Sequence, residues 1–492
     1  MKLSKSEYLL FLKHPAWLWL KKYANEKLPP VDDNLQAIFD AGNLFETYAE
    51  QLFPGILRLG FKSYEEYMSL PSRTKSALEN GTQTIAQGGF EAKDIACISD
   101  IVVKVDDNTF DLYEIKSSTR VKPEHEHDLA FQVIVLNACG YRVRNVSVIH
   151  VNNKFVRDGE INAKKIASIV DVTKKVAKRV AETKVNIQKA FQVLELDQMP
   201  SLLPSHARPD ALSDWLEIYG NLADLSPHNI YSLSYPGIDR LKKLEELEID
   251  SLSAIPDDFP LTDKQKFQVL ATKLDKEIVE KEGIKKFLSK LNFPLYFLDY
   301  ETLSSLIPYF NGYSPYQQVP FQYSFHILDS PKAELRHVSY LHRGNSNPIR
   351  SLSKSLQKNI GKNGSVIVWN ESFEKSCNAL MGKLEPEFES FYETLNQRVV
   401  DLMLPFANNW YVHKDFGGSA SIKNVLPVLV PDLSYKTLGI QEGTTAQRLW
   451  MEAVLDGKHD GLEDKIFNNL EEYCKLDTLA MVEIYKVLKD IK

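Results

Sequence analysis

Apolar residues in this chain fall into short runs, separated by longer stretches in which they recur every three or four positions. The first pattern predicts buried strands and the second amphipathic helices, so the chain reads as α/β. An amphipathic helix is expected after a Ser4 cap, and another over Leu35 to Phe53. Two β-rich runs, Ile98 to Val105 and Phe110 to Lys116, flank an Asp-Asp-Asn-Thr turn and predict a hairpin. Asp128 to Ala138 predicts a helix, Val146 to Val156 a strand, and Asn162 to Val193 one long helix. A breaker-rich joint, Leu202 to Pro209, leads through short helices to a charged helical run over Leu261 to Leu291. Then come a buried strand, Pro294 to Thr302 (PLYFLDYET), and two more strands in VPFQYSFHIL and AELRHVSYL. A helix over Asn347 to Ile360, strands at Ser365 to Trp369 and Arg398 to Leu402, and a last helix over Glu471 to Leu488 complete the pattern.

Composition narrows the class. A chain of 492 residues exceeds one ordinary core, so two or three domains are expected. With 43% hydrophobic and 25% charged residues it has the balance of a soluble globular protein. No apolar run approaches a membrane span, and the lysine-bearing N-terminus lacks the apolar block of a signal peptide. Cys97, Cys139, Cys377 and Cys474 form no zinc or disulfide spacing, which fits a reducing cytoplasm. The net charge of −7 does not announce a nucleic-acid binder, yet metal-site acids lower such a total and basic grooves are local.

Three acid patterns carry candidate chemistry. Asp299 and Glu301 lie two apart on a strand and share a face at the end of an apolar element. Two carboxylates side by side resist ionising unless a cation sits between them; an exposed strand end with two solvated acids is the plain alternative. In the hairpin, antiparallel pairing brings Asp100 opposite Glu114 and Lys116, where the acids can hold Mg²⁺ and the lysine can orient or help deprotonate a water. On the last helix Tyr473 and Asp477 are four apart and share a face. Cys474, Leu476, Leu479 and Ala480 are expected to turn that helix inward.

The order of helix, hairpin, helix and strand over about residues 1–155 resembles the RecB-type branch of the PD-(D/E)xK nucleases, which includes CRISPR-associated exonucleases. The resemblance implies that Asp100 and Glu114 are metal ligands, Lys116 the catalytic lysine, and Gln132 the helix glutamine that meets site or substrate. Glu46, four after Gly42, stands where that branch usually has His. Many of its members carry an iron–sulfur cluster on four cysteines; the spacing here departs from theirs, so none is expected. The strand Asp-x-Glu, Asn370-Glu-Ser-Phe373-Glu374 after a later strand, and the terminal Tyr-x-x-x-Asp together resemble the DEDDy 3′→5′ exonucleases of RNase H-like fold. That likeness implies that Asp299, Glu301 and Asp477 hold two Mg²⁺ or Mn²⁺ ions and that Tyr473 orients the attacking water. Glu374 takes a place where Asp is usual, and Asp401 is a fallback acid with a structural role expected. FLDYET, VPFQYSFHI, GGSASIKNVLP and YCKLDTLAM further resemble a bacterial family fusing the two modules.

The expectation is therefore a nuclease-like domain over 1–200, a helical connector over 201–290 and a second nuclease-like domain over 291–492. The implied activity is hydrolysis of DNA, in preference to RNA, in repair or defence; a non-catalytic nucleic-acid binder and an RNA 3′-end exonuclease are the alternatives. Oligomeric state is left open. Lys164, Lys165, Lys174, Lys175, Lys178, Arg179, Lys184 and Lys189 line the long helix, as a solvated face or a phosphate-tracking surface. The Pro236-Gly237 turn reads as a connector or as part of a helix-hairpin-helix. Gly417-Gly418-Ser419, Ser421 and Lys423 form a plain turn or a phosphate grip. His326 is expected in the core.

Overall fold

The strands form a seven-stranded and a five-stranded sheet, with a small pair of Ile278–Val279 and Tyr411–Val412 besides. In a computed structural model describing residues 2–491, the chain is α/β and divides into two compact units. One comprises Met1–Leu225, Gly237–Lys242 and Ser305–Tyr316; the other comprises Ser226–Pro236, Lys243–Ser304 and Gln317–Lys492. The expected connector is thus not a unit of its own. No helix among the described residues is long and apolar enough to cross a membrane.

The first unit is built on a seven-stranded sheet. Its centre is the hairpin Ile95–Lys104 and Thr109–Lys116, whose register pairs Ile101 with Tyr113 and Lys104 with Phe110. Arg142–Val151 lies parallel to the second hairpin strand, and Ala167–Asp171 closes that edge antiparallel. That edge strand interrupts the single long helix expected over Asn162 to Val193. Ile169 and Val170 favour strand geometry, and the helix restarts as Thr173–Leu194. On the other side runs Thr84–Ala92, a strand the pattern hid because Gly88 and Gly89 break its β-rich run. Gly89 is needed for packing: a Cβ there would meet Leu70 Cγ at 2.8 Å, so only glycine lets the helix Tyr64–Glu79 settle on the strand.

The helix Lys5–Lys13 starts as expected, with Ser4 and Glu7 forming a reciprocal capping box. It and the buried face of Pro123–Ala138 cover the sheet: Tyr8 stacks on Phe131 at 4.8 Å between ring centroids. The segment Ser305–Tyr316 completes the same unit. Leu306 joins the core with Phe45, Ile101 and Ile149. Arg157 donates to the Pro308 and Tyr309 carbonyls at 2.6 and 2.9 Å.

The second unit holds a five-stranded mixed sheet, with Leu295–Ser304 at its centre. Gln318–Leu328 pairs antiparallel with it, and Arg336–Leu341 follows outward as a meander. Ser365–Val368 lies parallel on its other side, then Val399–Asp401. The parallel half requires crossovers, supplied by Ile349–Asn359 and by Glu371–Leu384 with Glu389–Asn396. The last helix, Glu463–Lys489, starts earlier than its pattern suggested and packs along the central strands. The charged run before the sheet is broken where Asp275 adopts a left-handed φ of 51°. Before the Pro236-Gly237 turn there is a three-residue 3-10 turn, Ile230–Ser232, in place of the first helix that a helix-hairpin-helix requires.

Candidate active sites

In the first unit the hairpin register does what the sequence suggested. Asp100 falls opposite Glu114, and its Oδ2 accepts the Ile115 N–H at 2.7 Å. Glu114 is buried; its Oε1 accepts from Lys116 Nζ at 2.7 Å and from Lys5 Nζ at 3.1 Å. Its Oε2 accepts from Gln132 Nε2 at 2.6 Å. A further acid joins the group: Asp128, one helical turn before Gln132, receives Lys116 at 2.6 Å and Gln132 at 2.9 Å. Gln87, in left-handed conformation, donates to Glu46 at 3.1 Å and to Asp100 at 3.4 Å, linking these two acids.

The cluster largely neutralises itself. Burial opposes ionisation of Asp128, but Lys5 and Lys116 hold its carboxyl well below the usual range. Burial disfavours the Lys116 ammonium too, yet Glu114 and Asp128 keep it above the ordinary lysine value. Glu114 is pushed up to about 7 by burial and then by the charges of Asp100 and Asp128, and Asp100 is itself raised, by burial first. Glu46 is raised by burial and partly relieved by Arg58. Gln132 is fully buried and, of the two contacts expected for it, makes the one with the site, positioning two carboxylates. Lys5 and Asp128 were missed. Asp128 could have been found from its four-residue spacing to Gln132, whereas Lys5 carries no local signal.

The second unit places its acids where the central strand meets the last helix. Asp299 is half-buried and Glu301 buried, on one face of Leu295–Ser304. Glu374 comes from the first turn of Glu371–Leu384, and Tyr473, Cys474 and Asp477 from Glu463–Lys489. Donor atoms of Asp299, Glu301 and Cys474 lie within 4.8 Å of one another, and the Cys474 thiol sits 3.7 Å from Asp299 Oδ2. Helical spacing had marked Cys474 for packing alone. Asp477 is turned to a residue no motif marked: Tyr435 Oη donates to its Oδ1 at 2.5 Å. Lys423 Nζ lies 6.0 Å from the rings of both Tyr435 and Tyr473 and donates to the Gln441 carbonyl at 3.0 Å.

Among the described residues, this group lacks the internal ammoniums of the first. Burial, then the charge of Asp477, pushes Asp299 well above the carboxylate range. Glu301 is raised by burial and then by Asp299 and Asp477. Asp477 rises to about 7 through burial, which its Tyr435 hydrogen bond and Lys423 only partly offset. Glu374 rises to about 9 through burial and then Asp299, and its Oε2 is buried without a hydrogen-bond partner among the described residues. An orphaned carboxylate oxygen on Glu374, within reach of the charge of Asp299, fits a hard divalent cation such as Mg²⁺ or Mn²⁺. Asp401 plays a separate part. It accepts the N–H groups of Asn370, Glu371 and Met403 at 3.2, 3.1 and 2.9 Å, fixing the start of the helix that carries Glu374. Gly418 approaches Ser234 and Gln268 so closely that a Cβ would clash, which makes its turn a packing device. His326 is buried, bonded to Thr478 at 2.8 Å, and held neutral by burial at about 3.

A family described as a domain of unknown function, DUF2779, matches residues 296–421. The match includes Asp299, Glu301 and Glu374 and ends before Tyr435, Tyr473 and Asp477. An uncharacterised protein of Mycoplasma genitalium is 27% identical over 252 residues, which are 47% of this chain and 37% of that relative. Its homologue in Mycoplasma pneumoniae is 26% identical over 234 residues, 43% of this chain and 35% of the relative. The chain therefore matches little more than a third of the length of these relatives.

Proposed function

We propose that this protein is a metal-dependent nuclease acting on DNA, with 3′→5′ exonuclease chemistry at Asp299, Glu301, Glu374 and Asp477. The observation that carries this reading is the set of four acids drawn from one strand and two helices, with raised proton affinities and an unpartnered Glu374 oxygen. Mg²⁺ or Mn²⁺ bound there would supply positive charge for a phosphate and lower the pKa of a water. Asp299 and Glu301 would hold the ion from the strand face, and Glu374 from the helix that Asp401 anchors. Tyr435 fixes Asp477, leaving Tyr473 to orient a water beside the scissile phosphate. Asp100, Glu114 and Lys116 would form a second nuclease site.

One observation favours a lesser role for that second site. Lys5 and Lys116 already pair with Glu114 and Asp128, so the first unit can keep its shape as a DNA clamp with no metal. A time course on end-labelled single- and double-stranded oligonucleotides with Mn²⁺ tests both readings, using DNA and RNA of one sequence. Asp299→Ala is expected to lower shortening from the 3′ end by about a thousandfold. Asp100→Ala lowers total cleavage if both sites cut, and leaves it unchanged if the first is a clamp. If wild type shortens nothing, or Asp299→Ala matches it, the nuclease reading is wrong.

A further inference from the structure

The first unit carries a cleft of about 530 Å³ that the proposed chemistry does not use. Its volume lies within the range of ligand sites, roughly 300–1,000 Å³. One wall is the exposed side of Tyr64–Glu79 and the residues just before it. Phe61 is 50% exposed, Tyr64 72%, Tyr67 38% and Met68 54%. These are ring faces left in solvent on an ordered helix: Phe61 meets Tyr67 edge-on at 5.1 Å, and Tyr64 lies 6.4 Å from Tyr67. The opposite wall brings Lys2, Lys5 and Lys22. Lys2 and Lys22 are held by surface pairs, to Glu91 at 2.6 Å and Glu7 at 3.0 Å, which cost little to exchange for a phosphate. Lys5 both lines the cleft and bonds Glu114, which lies buried behind it.

We infer that this cleft binds an unpaired polynucleotide strand, with bases stacked on Tyr64 and Tyr67 and phosphates met by Lys2 and Lys22. Aromatic faces serve single strands because every base has a π face, while in a duplex those faces are already stacked. The inference deepens the nuclease reading and rests on it, since it names a single strand as the form the first unit holds. A second copy of the chain is the rival occupant, but Lys2, Lys5 and Lys22 outnumber the lining acids Glu7 and Glu91 and complement a polyanion.

The test measures fluorescence anisotropy of the full chain with a labelled single strand and the same sequence closed as a hairpin, each as DNA and RNA, in EDTA. Wild type is expected to prefer the single strand. Tyr64→Ala and Tyr67→Ala together should weaken that binding about tenfold and leave hairpin binding unchanged, while Tyr64→Phe and Tyr67→Phe retain it. Equal binding of single strand and hairpin, an unaffected alanine variant, or a wild-type dimer that the alanine variant splits would overturn the inference. Cleavage with Mn²⁺ separates the two failures: wild type that cuts, with aromatic variants that bind normally, sinks the cleft alone. Wild type that neither binds nor cuts sinks both.

Discussion

The two acid clusters have similar composition and differ in the positive charge the protein places among them. In the first, Asp100, Glu114 and Asp128 face Lys5 and Lys116, and the ionised forms of Asp128 and Lys116 are favoured despite burial. In the second, Asp299, Glu301, Glu374 and Asp477 have the more distant Lys423, and all four hold protons above their ordinary range. A set of carboxylates does not by itself imply a cation. What matters is whether the protein has supplied the positive charge. The first cluster holds two ammoniums of its own, although Asp100 and Glu114 are still raised, and the second has none in contact with its acids among the described residues.

That contrast can be broken by substitution. The largest effect is expected from Glu114→Ala, which leaves two ammoniums sharing Asp128; breaking a buried pair in this way should cost about 3 kcal/mol in urea unfolding. A variant as stable as wild type would show that the lysines do not depend on Glu114. Next in size is stabilisation by metal. Mn²⁺ at a hundred times its dissociation constant should add about 2.7 kcal/mol to the wild type, and the gain should vanish in Asp299→Ala but survive in Asp100→Ala. Loss of the gain in Asp100→Ala alone would reverse the comparison.

The smallest effect concerns protons. Asp477 and Glu374 have folded values of about 7 and about 9, above the unfolded values of 3.8 and 4.5. Raised acids bind more protons folded than unfolded, so stability in EDTA should fall as pH rises from about 4 toward 9. Asp128 is depressed instead, and its contribution is lost only as pH falls below the ordinary carboxylate range. Glu301→Gln should remove part of the alkaline loss, stabilising the metal-free chain at pH 7.5 by about 1 kcal/mol. Destabilisation at that pH would mean that Glu301 is ionised and partnered.

Elements whose pattern was local could be read from the chain. The hairpin register followed from its turn, and the Ser4 cap from its place before an amphipathic run. Thr84–Ala92 was not legible, because Gly89 is chosen for the approach of Leu70, a contact made across the fold. Ala167–Asp171 was absorbed into a helix because lysines on either side carried the helical period. The sites divide the same way. Asp299 with Glu301, and Glu114 with Lys116, are pairs on one strand and announce themselves. Lys5, Gln87 and Tyr435 act on Glu114, Glu46 and Asp477, at separations that no window of sequence contains.

The inclusion of Ser305–Tyr316 in the first unit has a consequence for synthesis and dissection. A nascent polypeptide released from the ribosome at residue 290 would lack Leu306 and the carbonyls that hold Arg157. The first unit can close only after translation has passed the central strand of the second. Single-site truncation therefore yields neither half intact, and each module has to be silenced by point substitution in the whole chain.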